Sequence, residues 1–167
     1  VLSRACYQLL RISGHLSALG TRPVLHREMT DLTDFLDDLC LSAGELFQQT
    51  GRTLDAQLPQ APVYALIDRQ QLQRAILALL SNTIKFTVPG SVIHLSMARS
   101  GRRATLRISD AGEGMDTAHL ASVFTRFAEP SAPEDPHFGA GFSLPLVQAV
   151  VQAHGGTVLL QSQPGEG

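Results

Sequence analysis

Two polar side chains stand at the end of an otherwise apolar helical segment, in a spacing that suits phosphate chemistry. Asn82 follows the apolar run 76–80, and Lys85 comes three residues later, close to the same face of the helix. A carboxamide oxygen can complete the ligand shell of a magnesium ion, and an ammonium group can neutralise phosphate charge. The pair therefore favours a metal-bound triphosphate, although a plain polar helix end has the same composition.

A second candidate group begins where the alternating strand pattern of residues 104–109 ends, in the sequence Asp110-Ala111-Gly112-Glu113-Gly114. Glycine lets the backbone approach a planar ligand closely, and a carboxylate can accept from a donor on that ligand. The pattern is typical of a site for a nucleotide base. Asp-Gly turns also join ordinary strands, so a hairpin corner explains the motif equally well.

A third group, Gly139-Ala140-Gly141, leads into Phe142-Ser143-Leu144 and a helix. Glycines just before a helix leave free N–H groups and the positive end of the helix dipole for an anion. A hinge within a loop is the alternative. Cys6, Cys40 and the scattered histidines lack the spacing of a metal site.

Length and composition predict one globular domain, because 167 residues with 44% hydrophobic content can build a core. The net charge of −2 comes from interspersed signs, which indicates neither a nucleic-acid-binding face nor a basic membrane patch. Arg4, Arg11 and His15 interrupt the apolar stretch 1–19, which argues against a signal peptide or a membrane span. We expect a cytoplasmic fragment, without an initiator methionine, that contacts neither nucleic acid nor membrane directly.

Apolar periodicity, caps and turn residues predict the elements that position these groups. Helices are expected over residues 1–19, 31–49, 68–86 and 143–153, with short helical patterns at 117–122 and 123–127. Residues 24–30 are expected to be extended, and strands are expected near residues 53–58, 63–66, 91–98, 103–109 and 157–161. The strands 91–98 and 103–109 are expected to form an antiparallel hairpin. The expected fold class is α/β: a two-layer sandwich with a mixed sheet and helices on one face, preceded by one long helix. The long connection from 112 to 141 is typical of a functional loop.

The three groups, in this order, resemble the asparagine box and the two glycine boxes of the ATP-binding domain of sensor histidine kinases. That domain belongs to a superfamily shared with gyrase, mismatch-repair and chaperone ATPases. The resemblance extends over residues 31–167, and its most specific stretch is residues 79–87. Residues 123–127 are also similar to the family's phenylalanine box, and the long connection then corresponds to an ATP lid.

The resemblance implies a role for each matching residue. Asp110 would bind the adenine amino group, with Gly112 and Gly114 in close backbone contact beneath the base. Asn82 would bind Mg²⁺ and Lys85 a phosphate. The other implied residues are Arg126 near the γ-phosphate or the partner domain, Gly139 and Gly141 on the phosphate side of the lid, Phe124 and Phe127 as lid anchors, and Phe86, Phe127 and Leu144 as further nucleotide contacts.

The first segment fits the same family. Leu2, Leu9 and Leu16 lie one heptad apart, which favours packing on partner helices, although an amphipathic core helix gives similar spacing. The resemblance implies that residues 1–22 are the second helix of the dimerisation and histidine-phosphotransfer hairpin. Residues 23–167 would then be the ATP-binding catalytic domain, with its last strand missing.

The implied function is transfer of the ATP γ-phosphoryl group to a histidine on a helix upstream of this chain, with ATP and Mg²⁺ as cofactors and Asn82, Lys85 and Arg126 as catalytic residues. The implied partners are the phosphoacceptor helix of the same kinase, a response regulator and a second copy in a homodimer. Without the acceptor histidine, the fragment is expected to be inactive alone. His26 follows Pro23 and lacks the setting of an acceptor.

Several positions depart from the family pattern. Ala78 stands one turn before Asn82 and has no side-chain oxygen to activate a water molecule, which disfavours hydrolysis. Ser143 replaces a usual glycine, and Glu129, Glu134 and Asp135 make the lid acidic. The alternative is therefore a degenerate kinase module that acts as a non-catalytic nucleotide sensor or interaction domain. A serine kinase of the anti-sigma type is a third possibility, which the heptad spacing of the first helix disfavours.

Overall fold

The computed structural model describes residues 24–124 and 143–167. The predicted first helix and most of the predicted lid lie outside these residues. The described elements are β1 (Glu28–Asp31), α1 (Leu32–Gln49), β2 (Thr53–Gln57), β3 (Tyr64–Ile67), α2 (Arg69–Phe86), β4 (Val92–Ser100), β5 (Arg103–Ser109), α3 (Thr117–Ser122) and α4 (Ser143–Ala153).

The strands of the described part form a mixed three-stranded sheet and a separate two-stranded ribbon. In the sheet, β2 pairs with β4 in parallel, and β4 pairs with β5 in an antiparallel hairpin, so that the order is β2-β4-β5. The parallel pair requires a crossover, which passes through β3 and α2. In the ribbon, β1 pairs with β3 antiparallel. The α/β class with a mixed sheet is confirmed.

The main core lies between the sheet and the helices. On β4, Ile93, Leu95 and Met97 alternate with exposed residues and turn one face inward. α1 places one apolar stripe against the core, as its 3.6-residue periodicity predicts. The largest side chains at the centre of the fold are Phe47, Ile76, Leu80, Ile93 and Leu95. The helices therefore cover one face of the sheet.

A second apolar cluster joins α2 to α4. Its buried members are Ala75, Val147 and Val150, and its partly buried members are Ala78, Leu79, Leu146, Val151 and Val158. α4 directly follows the chain segment 125–142. The cluster thus packs α4 against α2, the helix that bears Asn82 and Lys85.

Side-chain caps define where the helices begin. Asp68 caps α2, and its Oδ1 accepts from the N–H of Gln71 at 3.0 Å. Asp31 caps α1 and accepts from Thr33 at 2.9 Å. α1 ends at Thr50, and Gly51 follows with φ of 71°.

The predicted strand at 157–161 is wrong, because this segment has no regular structure. Its side chains still alternate: Val158 and Leu160 are half-buried, whereas Leu159 is 91% exposed. The apolar period is therefore present, but within the described residues no hydrogen-bonded ladder joins the segment to β5. A strand requires such a partner, which a local pattern does not supply. The pattern at 117–122 forms a helix as predicted, whereas Val123 and Phe124 form a turn.

Within the described ranges, no helix combines the length and the hydrophobicity that crossing a bilayer would require.

Candidate functional site

A cleft of about 430 Å³ lies where the end of α2 meets the turn after β5. This volume falls within the usual range for small-molecule sites. The cleft is lined by Lys85, Phe86, Thr87, Val88, Ala111, Gly112, Glu113 and Gly165. The cleft thus joins Lys85 of the first predicted group to Gly112 of the second, whereas Asn82, Asp110 and Gly114 do not line it.

The last turn of α2 brings Lys85 to the wall of this cleft, whereas Asn82 is not among the lining residues. The apolar face of the helix packs into the core as far as Leu80 and Thr83, which leaves Asn82 half-buried and Lys85 exposed. The Nζ atom of Lys85 lies 4.9 Å from the centre of the Phe86 ring. A cation near an aromatic face is stabilised by the ring quadrupole. A positive charge therefore stands at the wall of the cleft.

Asp110 follows β5 directly and closes a tight turn with its own side chain. Its Oδ1 accepts from the N–H of Gly112 at 2.9 Å, and the residue is half-buried. Within the described residues, no hydrogen bond reaches the other oxygen, Oδ2. A carboxylate held by one oxygen keeps the second as an acceptor for a ligand donor. This arrangement suits the amino group of a base.

Gly112 brings the turn against the end of α2. A Cβ atom at this position would lie 2.6 Å from the carbonyl oxygen of Phe86 and 2.8 Å from Oδ1 of Asp110. The N–H of Glu113 donates to the same Phe86 carbonyl at 3.3 Å. Because any side chain would separate these groups, glycine is required here. The contact holds the turn after β5 against the end of α2.

Gly114 packs against a distant part of the chain. It has φ of 66°, and a Cβ atom there would lie 1.8 Å from the carbonyl oxygen of Gln163. The N–H of Gly165 donates to Glu113 at 2.7 Å, and the N–H of Met115 donates to Ser162 Oγ at 2.8 Å. Protein packing alone thus accounts for glycine at 114. Contact with a base at this residue stays a prediction.

The metal-binding capacity of the described residues is small. None of them form a group of three or more His, Cys, Asp or Glu side chains that could hold an ion. Ala78, one turn before Asn82, packs in the apolar α2–α4 cluster. The donor set fits a magnesium ion bound by the Asn82 oxygen and otherwise by ligand phosphates and water, as Mg²⁺ prefers.

The third predicted group is only partly described. Arg126, Phe127, Gly139 and Gly141 lie outside the described residues, as do Glu129, Glu134 and Asp135. Leu144 is half-buried in the first turn of α4, which begins at Ser143. Pro145 is buried in the same turn, where its missing N–H is tolerated. Phe124 is half-buried.

Sequence reasoning missed two parts of the cleft wall. Val88 is 71% exposed and lines the cleft, but it lies outside the three predicted groups. Gly165 lies in a turn near the end of the chain, outside the predicted groups. For Val88, the local signal was its position directly after the motif at residues 79–87. The contact of Gly165 with Glu113 spans too many residues for a local pattern to indicate it.

Comparison with known proteins identifies the family of the chain. The family described as histidine kinase-, DNA gyrase B-, and HSP90-like ATPase matches residues 67–167. The sensor histidine kinase TmoS of Ectopseudomonas mendocina is 36% identical over 140 residues, which cover 82% of this chain and 14% of that protein. The alginate biosynthesis sensor protein KinB of Pseudomonas aeruginosa is 35% identical over 101 residues, or 60% of this chain and 16% of that protein. The chain therefore spans only a small part of these relatives.

Solved structures share the fold. Full-length ShkA, crystallised with AMPPNP, aligns with a TM-score of 0.76 at 21% identity, over 98% of this chain and 35% of that one. The Acinetobacter baumannii histidine kinase AdeS aligns with a TM-score of 0.70 at 20% identity, over 98% of this chain and 75% of that one. The chain belongs to the family of histidine kinase-, DNA gyrase B- and HSP90-like ATPases, as the catalytic ATP-binding domain of a sensor histidine kinase.

Proposed function

We propose that this chain binds ATP with Mg²⁺ and is the part of a two-component sensor kinase that transfers the γ-phosphoryl group to a histidine on an upstream helix. The observation that carries the proposal is the contact between Gly112 and the Phe86 carbonyl. That contact brings Gly112, two residues after Asp110, to the wall of the cleft that Lys85 also lines, which supports Asp110 as the acceptor for the base. The AMPPNP complex of ShkA, which has the same fold, supports a nucleotide as the ligand.

Each residue has a separate task in the proposed site. Oδ2 of Asp110 accepts from the adenine amino group, and Gly112 lets the base lie against the turn. Lys85 neutralises phosphate charge, and Asn82 holds the metal ion. Bound Mg²⁺ supplies charge neutralisation at the phosphate oxygens. The protein contributes mainly position and electrostatics, as phosphoryl transfer requires.

The remaining roles belong to segments outside the described residues and to partners. Arg126, Phe127, Gly139 and Gly141 would contact the nucleotide or close the lid, and Leu144 would lie at its base. Residues 1–22 would supply the second hairpin helix, through which two chains form a homodimer. The phosphoacceptor helix and a response regulator would be the further partners, in the cytoplasm. Ala78 provides no general base, so that hydrolysis stays slow beside transfer.

Binding is tested by titration with a fluorescent ATP analogue, with and without Mg²⁺. In Asp110→Asn, the one amide oxygen accepts from the N–H of Gly112, so the side-chain NH₂ group takes the place of Oδ2. Two donors, this NH₂ group and the adenine amino group, would then face each other without an acceptor. We expect binding to weaken about tenfold or more. Asp38→Asn, a change at an exposed position of α1, is the control and should bind as the unaltered chain does. Undetectable binding by the unaltered chain would refute the proposal.

Transfer is tested by adding the upstream histidine helix as a separate polypeptide and following acid-labile phosphate. We expect phosphohistidine only when ATP, Mg²⁺ and both polypeptides are present.

A second candidate function is a nucleotide sensor without catalysis. The packing of Ala78 in the apolar α2–α4 cluster favours it, because Ala78 offers no side-chain oxygen to the metal or to water. Nucleotide binding without any phosphohistidine would support this alternative.

A further inference from the structure

We propose that Arg52 is a positioning residue for the nucleotide site. Its guanidinium holds the C-terminal end of α2 and so sets the cleft wall, although Arg52 itself does not line the cleft. This role rests on the proposed function, because it concerns the same site. No motif in the sequence marks this arginine.

The guanidinium of Arg52 makes hydrogen bonds through three nitrogens. Nε donates to Oγ1 of Thr87 at 2.9 Å, and Nη2 donates to the carbonyl oxygen of Thr87. Nη1 donates to the carbonyl oxygen of Thr50 at 2.8 Å. A rigid planar fork can serve such a set of acceptors, whereas an ammonium group cannot match all three directions. Arg52 thus joins the loop after α1 to the end of α2.

Thr87 is the point at which α2 ends. It is the C-cap, with extended backbone angles, and only 6% of it is exposed. Its N–H and its Oγ1 both donate to the carbonyl oxygen of Thr83, at 3.1 and 2.5 Å. Helix C-termini leave carbonyl groups without partners in the helix, and a nearby cation stabilises their negative end. Arg52 supplies both the donors and the charge.

The residue beside Arg52 holds the next part of the same loop. Gly51 accepts from the N–H of Gly90 at 2.6 Å, and a Cβ atom on Gly51 would lie 3.3 Å from the Cβ of Pro89. The N–H of Thr53 then donates to Ser91 at 3.0 Å, where the β2–β4 ladder begins. Residues 51–53 therefore fix residues 87–91 from one side.

This attachment determines where the cleft wall stands. Thr87 and Val88 line the cleft, and the preceding Phe86 carbonyl receives the N–H of Glu113. Without Arg52, the Thr87 carbonyl loses its donor, and the last turn of α2 can fray. Lys85 and Val88 would then lose their fixed relation to Gly112. We therefore expect weaker nucleotide binding from a residue that never touches the nucleotide.

The test compares nucleotide affinity and hydrogen exchange in Arg52→Met and Arg52→Lys. We expect Arg52→Met to bind the fluorescent ATP analogue about tenfold more weakly, and Arg52→Lys to fall between it and the unaltered chain. In the absence of nucleotide, amide exchange in Arg52→Met should rise at residues 86–91 but not at the centre of β4. Arg107→Met, which removes an exposed charge from β5, is the control and should change neither the nucleotide affinity nor the amide exchange.

Two further variants separate positioning from general stability. Leu39→Ala removes a buried side chain of α1 and destabilises the fold, yet it should leave affinity unchanged at a temperature where the protein is folded. Thr87→Val removes one of the acceptors of Arg52. In the Thr87→Val background, Arg52→Met should therefore lower nucleotide affinity by less than it does in the unaltered chain.

The outcomes distinguish the two proposals. No binding by the unaltered chain overturns the proposed function, and this role with it. If Arg52→Met changes nucleotide affinity by less than about twofold, the positioning role is overturned and the proposed function stands. Uniformly raised exchange over the whole domain, with an equal loss of affinity in Leu39→Ala, also overturns it. Arg52→Lys keeps the test decisive if Arg52→Met fails to fold.

Discussion

The backbone N–H of Asp68 donates a hydrogen bond to Nε2 of His154 at 2.9 Å, which joins the start of α2 to the residue after α4. The other ring nitrogen, Nδ1, lies 2.8 Å from the carbonyl oxygen of Val150. Because Nε2 accepts this hydrogen bond, Nδ1 is the ring nitrogen that donates to the Val150 carbonyl. The side chain of Asp68 also accepts from the N–H of His26 at 2.9 Å. Arg27 donates to the Ala153 carbonyl at 2.5 Å.

Replacing His154 should destabilise the domain, because the buried N–H of Asp68 would lose its acceptor. We expect His154→Leu to lower the free energy of unfolding by about 1–3 kcal/mol, measured by urea denaturation. His94→Leu is the control, since His94 contacts Asp55 at an exposed position. The control should change stability by less than about 1 kcal/mol. Equal effects of the two changes would contradict the structural role of His154.

Asp68 should give the domain an acid-sensitive stability. Burial opposes ionisation of its carboxyl group, but backbone hydrogen bonds from Gln71, His26 and Gln70, with His154 nearby, lower its pKa below the ordinary 3.8. A lowered pKa contributes stability that is present above pH 3.8 and is lost as the pH falls through the folded-state value.

The measurement is the free energy of unfolding of Asp68→Asn and the unaltered chain between about pH 2 and pH 6. The stability advantage of the unaltered chain should shrink as the pH falls below 3.8. Asp34→Asn, at an exposed position in the first turn of α1, is the matched control. A pH-independent difference between Asp68→Asn and the unaltered chain would refute the assignment.

Cys40 should be chemically inert in the folded domain. Burial, followed by the charge of Asp37, raises the pKa of its thiol from 9.0 to about 11. Two pH units lower the reactive thiolate fraction about 100-fold near neutral pH, and burial further restricts access. In a Cys6→Ser background, a thiol reagent should modify Cys40 slowly in buffer and rapidly in urea. Rapid modification of the folded protein would show that α1 opens locally.

Gly112→Ala should damage both the fold and the site. The added methyl group would lie 2.6 Å from the Phe86 carbonyl, so the turn after β5 would have to move away from α2. We expect a loss of about 1–3 kcal/mol in unfolding free energy, together with weaker nucleotide binding. Gly44→Ala is the matched control, because nothing lies within 4 Å of its Cβ position in α1. It should instead stabilise the domain by about 0.5–1 kcal/mol, without a change in affinity.

The helices and the hairpin could be predicted from the sequence because their causes are local. The stripe on α1 depends on residues three and four positions apart, and the Asp68 cap depends on one side chain and the next turn. The hairpin of β4 and β5 needs only alternation and a turn at Gly101. The prediction of a strand at 157–161 was wrong for the opposite reason, since a strand there would need hydrogen bonds from a partner distant in the sequence.

The chemical groups of the candidate site could also be predicted from the sequence: a carboxamide and an ammonium at the end of α2, and a carboxylate before two glycines. Their side chains determine which charges and hydrogen bonds are available. Tertiary structure alone decided which of them meet. It placed Gly112 on the Phe86 carbonyl, Gly165 on Glu113 and Arg52 on Thr87. Each of these contacts joins segments distant in the sequence, and their approach depends on the packing of the whole core rather than on any local pattern.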